Sequence, residues 1–321
     1  MLSSQKYLNT FKKLKGLILG TGSIGTRHKK NLQILGTQLE TASFRKLGLR
    51  GVIKKIQNSN VDFIIEALGT NQRHFIIPYI LEKRIPFYIE KPAYFDLKFD
   101  KIFSNIPNEI QNKSVVGFMM RYNPLITSLK KDLKLLQPFS ASLQIGHDVT
   151  KWRKDWNIYK SYASDTKGGG VLLDLCHEID IAHVLFSVDE ILSVNSKKHQ
   201  EFDVDFATSC LLRGSNRDKD DILTNINLNY LSPQLIRNGS IYGIKGELHF
   251  DLAEGKKILH KNNGSKEFSF KNTRNNMFLE LMIDFLLSIL DKKVKNPLFP
   301  SLINTAKSNH IIANCFEKLK Y

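Results

Sequence analysis

The sequence has few cysteines and pairs none of them. Its 321 residues include three, Cys176, Cys210 and Cys315, with no CxxC spacing. An odd number without pairing argues against a disulfide framework, and the missing CxxC argues against a structural zinc site. We therefore expect reduced, mostly buried thiols and no metal site.

Long apolar runs are also missing. The longest near the C-terminus, Leu279–Leu290, is interrupted by Glu280 and Asp284, so it is too short and too charged to cross a bilayer. Met1–Lys15 lacks the apolar core of a signal peptide. We expect a cytoplasmic protein without a membrane partner.

Basic residues are abundant but not clustered. The formal net charge is +16, yet no segment combines a dense basic run with interleaved aromatic residues. This pattern is typical of solvated lysine-rich faces rather than of a specific nucleic-acid site. The excess charge would still attract an anionic small molecule, such as a phosphorylated ligand.

The first 120 residues alternate continuous apolar runs with helix-like stretches, such as Ile24–Leu35 and Phe75–Leu81. Such runs indicate a parallel sheet covered on both faces, hence an α/β, doubly wound domain over residues 1–122. The strand candidates are Gly16–Gly20, Leu39–Phe44, Val61–Leu68, Pro86–Ile89 and Ser114–Met119.

Residues 123–321 have a different texture. Polar and apolar residues alternate there and Gly, Asn and Asp punctuate the segments, which predicts antiparallel strands. Helical patterns remain at Val171–Phe186 and Met277–Leu290. We expect an α+β substrate and oligomerisation domain. Its strand candidates include Ser140–Ile145, Asp205–Leu212, Thr224–Leu231 and Gly239–Ile244.

A GxGxxG motif follows the first strand candidate and begins a helix. The first glycine permits a tight turn, the second lets a pyrophosphate approach, and the third lets helix and strand pack closely. The helix N-terminus supplies amides and a positive dipole. The motif predicts a dinucleotide site formed by Gly20, Gly22, Ser23, Ile24 and Gly25.

The position about 20 residues past these glycines carries Arg45 instead of the carboxylate that binds the ribose of NAD. Glu40 lies earlier, within the strand candidate. An arginine here can pair with a 2′-phosphate, so we favour NADP over NAD. A solvated surface charge is the alternative.

Glu90-Lys91-Pro92 follows the strand candidate Pro86–Ile89, at the sheet edge where open α/β sheets bind ligands. A lysine there can polarise a carbonyl or move a hydroxyl proton. The proline can fix the loop, including in the cis form.

A third motif runs from Gly168 to Asp180. If a helix starts at Val171, Asp174 and His177 share a face and can act as an acid–base pair. The Asp180 and His183 pair repeats this spacing, so the pattern alone is ambiguous. A capping aspartate and a core-packed histidine are the alternative.

Together these motifs resemble the Gfo/Idh/MocA family of NAD(P)-dependent sugar and polyol oxidoreductases. The resemblance covers nearly the whole chain. It implies a Rossmann domain followed by a larger domain with an open, mainly antiparallel sheet, which often mediates homodimers or homotetramers. The motifs that carry it are Gly20–Gly25 with Arg27 and His28, Asn71 with His74, Glu90–Pro92, Gly117–Pro124, and Gly168–Asp180.

The resemblance also implies roles for individual residues. Lys91 matches the family's motif lysine, His177 its catalytic histidine, and Asp174 the acidic partner. Many members place that aspartate four residues before the histidine, whereas the gap here is three. The residues expected at the cofactor beyond the glycine loop are Arg45, Asn71, His74, Glu90 and Lys91.

The segment from Trp152 to Tyr162 resembles a subgroup associated with bacterial surface-sugar biosynthesis. Aromatic faces stack on sugar rings, and arginines bind phosphate or carboxylate bidentately. The alternative is that the tryptophans are core residues. The candidate substrate-binding residues are Arg121, Asn123, Trp152, Arg153, Trp156 and Tyr162.

The leading hypothesis is hydride transfer between a sugar or nucleotide-sugar carbon and the nicotinamide. Three alternatives stay open. The first is a reaction without net redox change, in which the sugar is oxidised transiently. The second is a non-catalytic, cofactor-binding regulator. The third is a nucleic-acid binder, motivated by the charge alone.

Overall fold

The structure is a computed structural model, and it describes residues 8–151, 161–198, 200, 203–215 and 220–319. Contacts between Cα atoms divide the chain into two compact units. The first contains the described residues up to Tyr94, Lys98–Tyr122 and Arg274–Ala306; the second contains Phe95–Leu97 and the described parts of 123–273 and 307–319.

The elements are numbered in chain order. The strands are β1 (Lys15–Leu19), β2 (Gln38–Ala42), β3 (Phe63–Glu66), β4 (Phe87–Ile89), β5 (Val115–Val116), β6 (Pro138–Gly146), β7 (Glu190–Lys198), β8 (Asp205–Ser215), β9 (Asp221–Asn229), β10 (Ile236–Gly243), β11 (Gly246–Asp251), β12 (Lys256–Lys261) and β13 (Gly264–Ser269). The helices are α1 (Leu8–Phe11), α2 (Ser23–Ile34), α3 (Phe44–Asn58), α4 (Thr70–Glu82), α5 (Lys98–Ser104), α6 (Asn108–Lys113), α7 (Pro124–Leu136), α8 (Val171–Asp174), α9 (His177–Phe186), α10 (Arg274–Ile289) and α11 (Leu302–Lys318). None of the described helices has the length and apolar character needed to cross a membrane.

The first unit contains a five-stranded sheet in the order β2-β1-β3-β4-β5, with every neighbouring pair parallel. Leu17, Ile18 and Leu19 of β1 are fully buried, as expected for an inner strand of a sheet covered on both faces. The predicted α/β Rossmann-type domain is confirmed.

Helix α10 returns to this first unit late in the chain. Its Asn275 accepts a hydrogen bond from Arg27 (3.2 Å), and its Asp284 accepts one from the Tyr122 hydroxyl (2.8 Å). The sequence-based division into residues 1–122 and 123–321 assigns the helical pattern Met277–Leu290 to the second domain, whereas the structure places it in the first unit. Apolar periodicity identifies a helix but not the core against which it packs.

The second unit contains an eight-stranded sheet in the order β13-β12-β11-β10-β6-β9-β8-β7. All neighbouring strands are antiparallel except β6 and β9, which are parallel. The predicted α+β domain with a mainly antiparallel sheet is confirmed. Helix α9 packs against β6, β8 and β9, and α8 packs against β8 and β9.

Burial alternates along the central strands of this sheet, so one face is buried and the other is open. The open face of β6, β9 and β10 exposes Leu223 and Tyr242, but most of its side chains are uncharged and polar. Those side chains are Ser140, Ser142, Gln144, Asn225, Asn227, Asn238 and Ser240.

The helical pattern Val171–Phe186 is helical in the structure, but it does not form one continuous helix. The structure has two helices, α8 and α9, separated at Leu175, whose dihedral angles (φ −101°, ψ 25°) leave the helical region. Asp174 ends α8 and His177 begins α9, so the same-face argument from i,i+3 spacing does not apply to this pair.

Candidate active site

The glycine loop connects β1 to α2. Gly20 has φ +99°, a conformation that side chains other than glycine rarely adopt, and a Cβ there would lie 2.5 Å from the Ala67 carbonyl oxygen. A Cβ at Gly25 would lie 2.0 Å from the Gly20 carbonyl oxygen. These glycines are therefore required by the close approach of loop, strand and helix.

Gly22 is a glycine for a different reason. No described heavy atom lies within 4 Å of the Cβ position there, and its φ of −72° is open to any residue. Gly22 is also the N-cap of α2, where the described residues provide no side-chain cap. The helix N-terminus thus lies beside open space at Gly22 and has no side-chain cap among the described residues, which suits a pyrophosphate.

Arg45 lies just past the carboxyl end of β2, in the first turn of α3, and is exposed. Glu40 lies inside β2 and forms an ion pair with Lys55. The carboxyl end of β2 is therefore followed by the exposed cation Arg45, while the nearby carboxylate of Glu40 is paired with Lys55.

Asn71 and His74 lie in the first turns of α4, directly after β3 and Gly69. Both are half-buried, and the His74 ring packs on Phe75 with centroids 3.8 Å apart. The helix thus starts at the same sheet edge as the glycine loop.

A buried ion pair lies beneath this edge. Glu66, the last residue of β3, accepts a hydrogen bond from Arg73 Nε (2.5 Å) and one from the Leu68 amide (2.8 Å). Arg73 also donates to the backbone oxygens of Pro92 and Leu68. One guanidinium therefore ties the loops after β3 and β4 together.

Glu90 forms a second buried pair. Its Oε1 lies 2.7 Å from His28 Nε2 on α2 and accepts a longer bond from the Tyr88 hydroxyl (3.3 Å). A Cβ at Gly117 would lie 2.9 Å from Glu90 Oε2. Glu90 is thus enclosed, and it links the glycine-loop helix to β4.

The two buried carboxylates have opposite pKa shifts. Burial raises the pKa of Glu66, although the Arg73 charge and hydrogen bonds to Leu68 and Arg73 partly oppose it. Burial acts in the same direction on Glu90, but the His28 hydrogen bond and the charges of His28, Lys91 and Arg73 outweigh it and lower its pKa. Glu90 is therefore an ionised acceptor at neutral pH.

Lys91 lies between two anchored neighbours. Glu90 is held by His28, and the Pro92 carbonyl is held by Arg73. The Lys91–Pro92 peptide bond is cis, and Lys91 itself is only half-buried. The residues on both sides of Lys91 are thus held in place at the carboxyl end of β4.

In the second unit, Asp174 is surrounded by tyrosines. Its Oδ1 accepts a hydrogen bond from the Tyr162 hydroxyl (3.1 Å), and its Oδ2 lies 3.0 Å from the Tyr230 hydroxyl. Tyr230 is fully buried, and burial followed by the Asp174 charge raises its pKa well above the usual value. These hydroxyls fix the orientation of the carboxylate.

Helix α8, which carries Asp174, is anchored at its start by Asp205. The Asp205 carboxylate accepts hydrogen bonds from the Leu172 amide (2.9 Å) and the Thr208 hydroxyl (2.6 Å). Gly170 has φ +93°, and a Cβ there would lie 1.9 Å from Asp205 Oδ1. The glycine run 168–170 at the start of the third sequence motif therefore ends in a position that only glycine fits.

His177 begins α9 and is 8% exposed. The next residue, Glu178, forms an ion pair with Arg237 (2.7 Å), and Asp180 is fully buried. The Asp180 and His183 pair thus has its carboxylate in the core of the unit. His183 Nδ1 lies 2.8 Å from the carbonyl oxygen of Val188, which lies two residues past the end of α9.

Two candidate substrate-binding residues, Arg121 and Asn123, are buried and form hydrogen bonds with the backbone. Arg121 is 3% exposed, and its guanidinium donates to the carbonyls of Leu298 and Asn304. Asn123 is buried and caps α7 by accepting from the Leu125 amide (3.0 Å). These contacts favour structural roles over the predicted substrate contacts.

The other substrate candidates are divided. Tyr162 contacts Asp174, as described above. The predicted residues Trp152, Arg153 and Trp156 lie outside the described residues.

Sequence reasoning missed Glu66, Arg73 and Tyr230. A glutamate inside the apolar strand Phe63–Glu66 is a usable signal, since a buried charge needs a partner. Tyr230 gives no such signal, because it is 56 residues from Asp174 in the sequence.

No protein-family model and no curated protein sequence matches the chain. Solved structures do match. A UDP-N-acetylglucosamine 3-dehydrogenase from Acidithiobacillus ferrooxidans is 13% identical, with a TM-score of 0.72 over 96% of this chain and 98% of that one. A biliverdin reductase from Synechocystis, in complex with biliverdin and NADP+, is 14% identical, with a TM-score of 0.76 over 96% and 99%.

An inositol dehydrogenase homolog from Azotobacter vinelandii, complexed with NAD+, is 12% identical, with a TM-score of 0.76 over 95% of each chain. At these identities the likeness establishes the fold. The fold implied by the sequence motifs is thereby confirmed over nearly the whole chain.

Proposed function

We propose that this protein is an NAD(P)-dependent oxidoreductase of the Gfo/Idh/MocA type that interconverts a hydroxyl and a keto group on a sugar or nucleotide sugar. The glycine loop carries the proposal: Gly22 leaves open space beside a helix N-terminus, and the same helix bonds through His28 to Glu90, next to Lys91. The shared fold with dehydrogenases supports it.

The residues at the sheet edge fit a dinucleotide. The amides of Ser23 and Ile24 would hold the pyrophosphate, and Asn71 and His74 would lie along the next loop. When bound, the nicotinamide supplies the hydride acceptor or donor. Glu90, ionised and enclosed, orients its neighbour Lys91 instead of reacting.

In the direction of reduction, the Lys91 ammonium would donate a hydrogen bond from Nζ to the keto oxygen and give that proton to it; in the direction of oxidation, the neutral amine would accept the hydroxyl proton. This role suits a lysine whose backbone is fixed on both sides, because orientation lowers the entropy cost of proton transfer. In the second unit, His177 is the candidate proton carrier. Asp174, held by Tyr162 and Tyr230, would be its acidic partner.

The test combines cofactor binding and turnover. Quenching of protein fluorescence should show binding of NADPH or NADH, and nicotinamide absorbance should follow turnover with a panel of nucleotide sugars that includes UDP-N-acetylglucosamine. Lys91→Ala should lower kcat about 10²- to 10⁴-fold while leaving the cofactor Kd within about twofold. A wild-type protein that binds neither cofactor would overturn the proposal.

A reaction without net redox change gives a different pattern. Substrate would be consumed, by chromatography, while nicotinamide absorbance stayed constant. That outcome would support the proposed site but would assign it a reaction without net oxidation or reduction.

The cofactor preference has its own test. Arg45→Ala should raise the KM for NADP about tenfold and leave that for NAD little changed, since the cation pairs with a 2′-phosphate. Lys46→Ala, the adjacent exposed cation, is the control. Equal or better wild-type turnover with NAD at matched concentrations would contradict the NADP assignment.

We also propose that the open face of the second unit's sheet joins two or four copies of the chain. It presents a broad, mainly polar surface of side-chain amides and hydroxyls with Leu223 and Tyr242 exposed among them, which suits an interface rich in hydrogen bonds. Light scattering coupled to size exclusion should give the mass of a dimer or tetramer. A monomer at micromolar concentration would contradict it.

A further inference from the structure

A cluster of three metal-ligating side chains lies on the second unit's sheet, among residues that no proposed step uses. Glu247 and His249 are on β11, and His260 is on β12. One potential ligand atom from each lies within 4.8 Å of the other two. All three side chains are half-buried.

The strand register brings these residues together. Glu247 lies directly opposite His260, and His249 follows two residues later on the same strand. Residues two apart on a strand point to the same face, as do direct cross-strand neighbours. The three side chains therefore converge on the open face, across a single antiparallel pair.

Two serines hold the imidazoles in orientation. Ser240 Oγ lies 2.8 Å from His249 Nδ1, and Ser265 Oγ lies 2.6 Å from His260 Nδ1. With both Nδ1 atoms occupied in this way, Nε2 is the atom each ring has available for a ligand bond. Hydrogen bonds to the second ring nitrogen are the usual support of a metal-binding histidine.

The spacing already matches a coordination sphere on one side. His249 Nε2 lies 3.3 Å from Glu247 Oε1. Ligands about 2.0–2.1 Å from a tetrahedral zinc ion are themselves about 3.3 Å apart. The His260 ligand atom lies within 4.8 Å of the other two, so it belongs to the same cluster.

We propose that Glu247, His249 and His260 bind a divalent transition-metal ion, Zn²⁺ in the first instance. Two imidazole nitrogens and one carboxylate oxygen form a donor set typical of zinc, with the fourth position open to water. Binding replaces the proton between His249 Nε2 and Glu247 Oε1. The Ser240 contact survives this change, because a serine hydroxyl can either donate or accept.

This site was not expected from the sequence. The absence of CxxC spacing concerns cysteine sites, and His249 and His260 are 11 residues apart, with a strand turn between them. Only the pairing of β11 with β12 makes them neighbours.

The test is a metal titration of the tag-free, full-length protein after chelator treatment. Competition with a chromophoric chelator measures Zn²⁺ affinity, and visible absorption of Co²⁺ reports the coordination geometry. We expect one strong equivalent, with a four-coordinate Co²⁺ spectrum. His249→Ala and His260→Ala should each weaken binding at least about tenfold, since each removes a ligand.

Asp251→Asn is the matched control. Asp251 is a carboxylate on the same strand and face, but it accepts from the Ala253 and Glu254 amides and lies outside the cluster. The Zn²⁺ affinity of Asp251→Asn should equal that of the wild-type protein. Glu247→Gln and His260→Gln serve if an alanine variant loses its circular dichroism spectrum.

Two outcomes would overturn the site. One is a strong equivalent whose affinity is the same in all ligand variants, which would place the metal on other histidines. The other is that the wild-type protein binds no equivalent of Zn²⁺ more tightly than the ligand variants do. Both readouts are independent of enzymatic activity, so failure here leaves the proposed function untouched.

Discussion

Gly22 and Gly25 lie three residues apart at the start of α2, yet an added methyl group would meet different surroundings at each. At Gly22 there is open space, and at Gly25 the Gly20 carbonyl oxygen is 2.0 Å away. The first position thus leaves room for a ligand, while the second allows the backbone to close. Substitution of Gly22 should therefore affect ligand binding, and substitution of Gly25 should affect stability.

We expect Gly22→Ala to leave the melting temperature unchanged or slightly raised, because its backbone conformation is open to alanine. The same change should weaken NADPH binding at least about tenfold, since the methyl group fills the space for the pyrophosphate. Gly25→Ala should instead destabilise the fold by about 1–3 kcal/mol. Thermal unfolding and fluorescence titration measure both. Equal cofactor affinity in Gly22→Ala and wild type would contradict the assignment.

Glu90 gives a prediction about pH. Its pKa is lowered in the folded protein, so its ionised form stabilises the fold above the unfolded pKa. That contribution is lost as pH falls through the folded pKa, which lies below the unfolded one. Glu90→Gln keeps an oxygen acceptor for His28 but cannot ionise. The stability difference between wild type and Glu90→Gln should therefore shrink as pH falls from 7 to 3 in urea titrations. A constant difference would show that the Glu90 charge does not contribute.

At the scale of elements, α8 is a four-residue helix that depends on one side chain from β8. Asp205→Ala should lower the free energy of unfolding by about 1–3 kcal/mol, because the Leu172 amide and the Thr208 hydroxyl lose their buried acceptor. Asp203→Ala, which removes an exposed carboxylate two residues earlier, should change it by less than about 0.5 kcal/mol. Equal effects of the two changes in urea unfolding would argue against the anchor.

The sequence predicts best the elements whose residues are all buried, such as the inner strands of the parallel sheet. The strand candidate Gly16–Gly20 covers all of β1 except Lys15, and Val61–Leu68 contains β3, because inner parallel strands are continuously apolar. Strand β13 is exposed along its whole length and carries no alternation, so it gave no signal. The candidate Ser114–Met119 contains only the two-residue strand β5, and a 3₁₀ turn begins at Met119.

The site shows the same division. The glycine loop and Glu90–Pro92 are local motifs, and each was identified from adjacent residues. The pairs Glu66 with Arg73 and Glu90 with His28 require contacts across the sheet edge, which spacing does not reveal. The break at Leu175 gives no signal of its own, because the apolar run Val171–Phe186 by itself predicts one helix.

At the scale of the whole chain, the net charge of +16 should produce weak and unspecific retention on DNA. We expect retention at 50 mM salt and release by about 200 mM, since few phosphate contacts form without a dense basic patch. Column elution over a salt gradient measures this. Retention well above that range, with preference for one sequence, would revive the nucleic-acid alternative.

The first unit also depends on a late segment of the chain. Asp284 on α10 accepts from the Tyr122 hydroxyl and from the Lys295 and Asn296 amides. A chain that ends at Thr273 should therefore lack a protease-resistant first unit, whereas the full chain should have one. Limited proteolysis with mass spectrometry distinguishes them. A stable fragment of residues 8–122 from the shortened chain would contradict this.

The return of α10 has a consequence for how the protein is made. Synthesis runs from the N-terminus, so the glycine loop and Lys91 leave the ribosome long before the helix that completes their unit. At typical elongation rates, the stretch from Tyr122 to Arg274 takes roughly 8–30 s to translate. During that interval the parallel sheet has an uncovered apolar flank, while the intervening residues can begin to fold. The nascent chain is therefore a candidate client for chaperones that bind exposed apolar strands, and its cofactor site forms only near the end of translation.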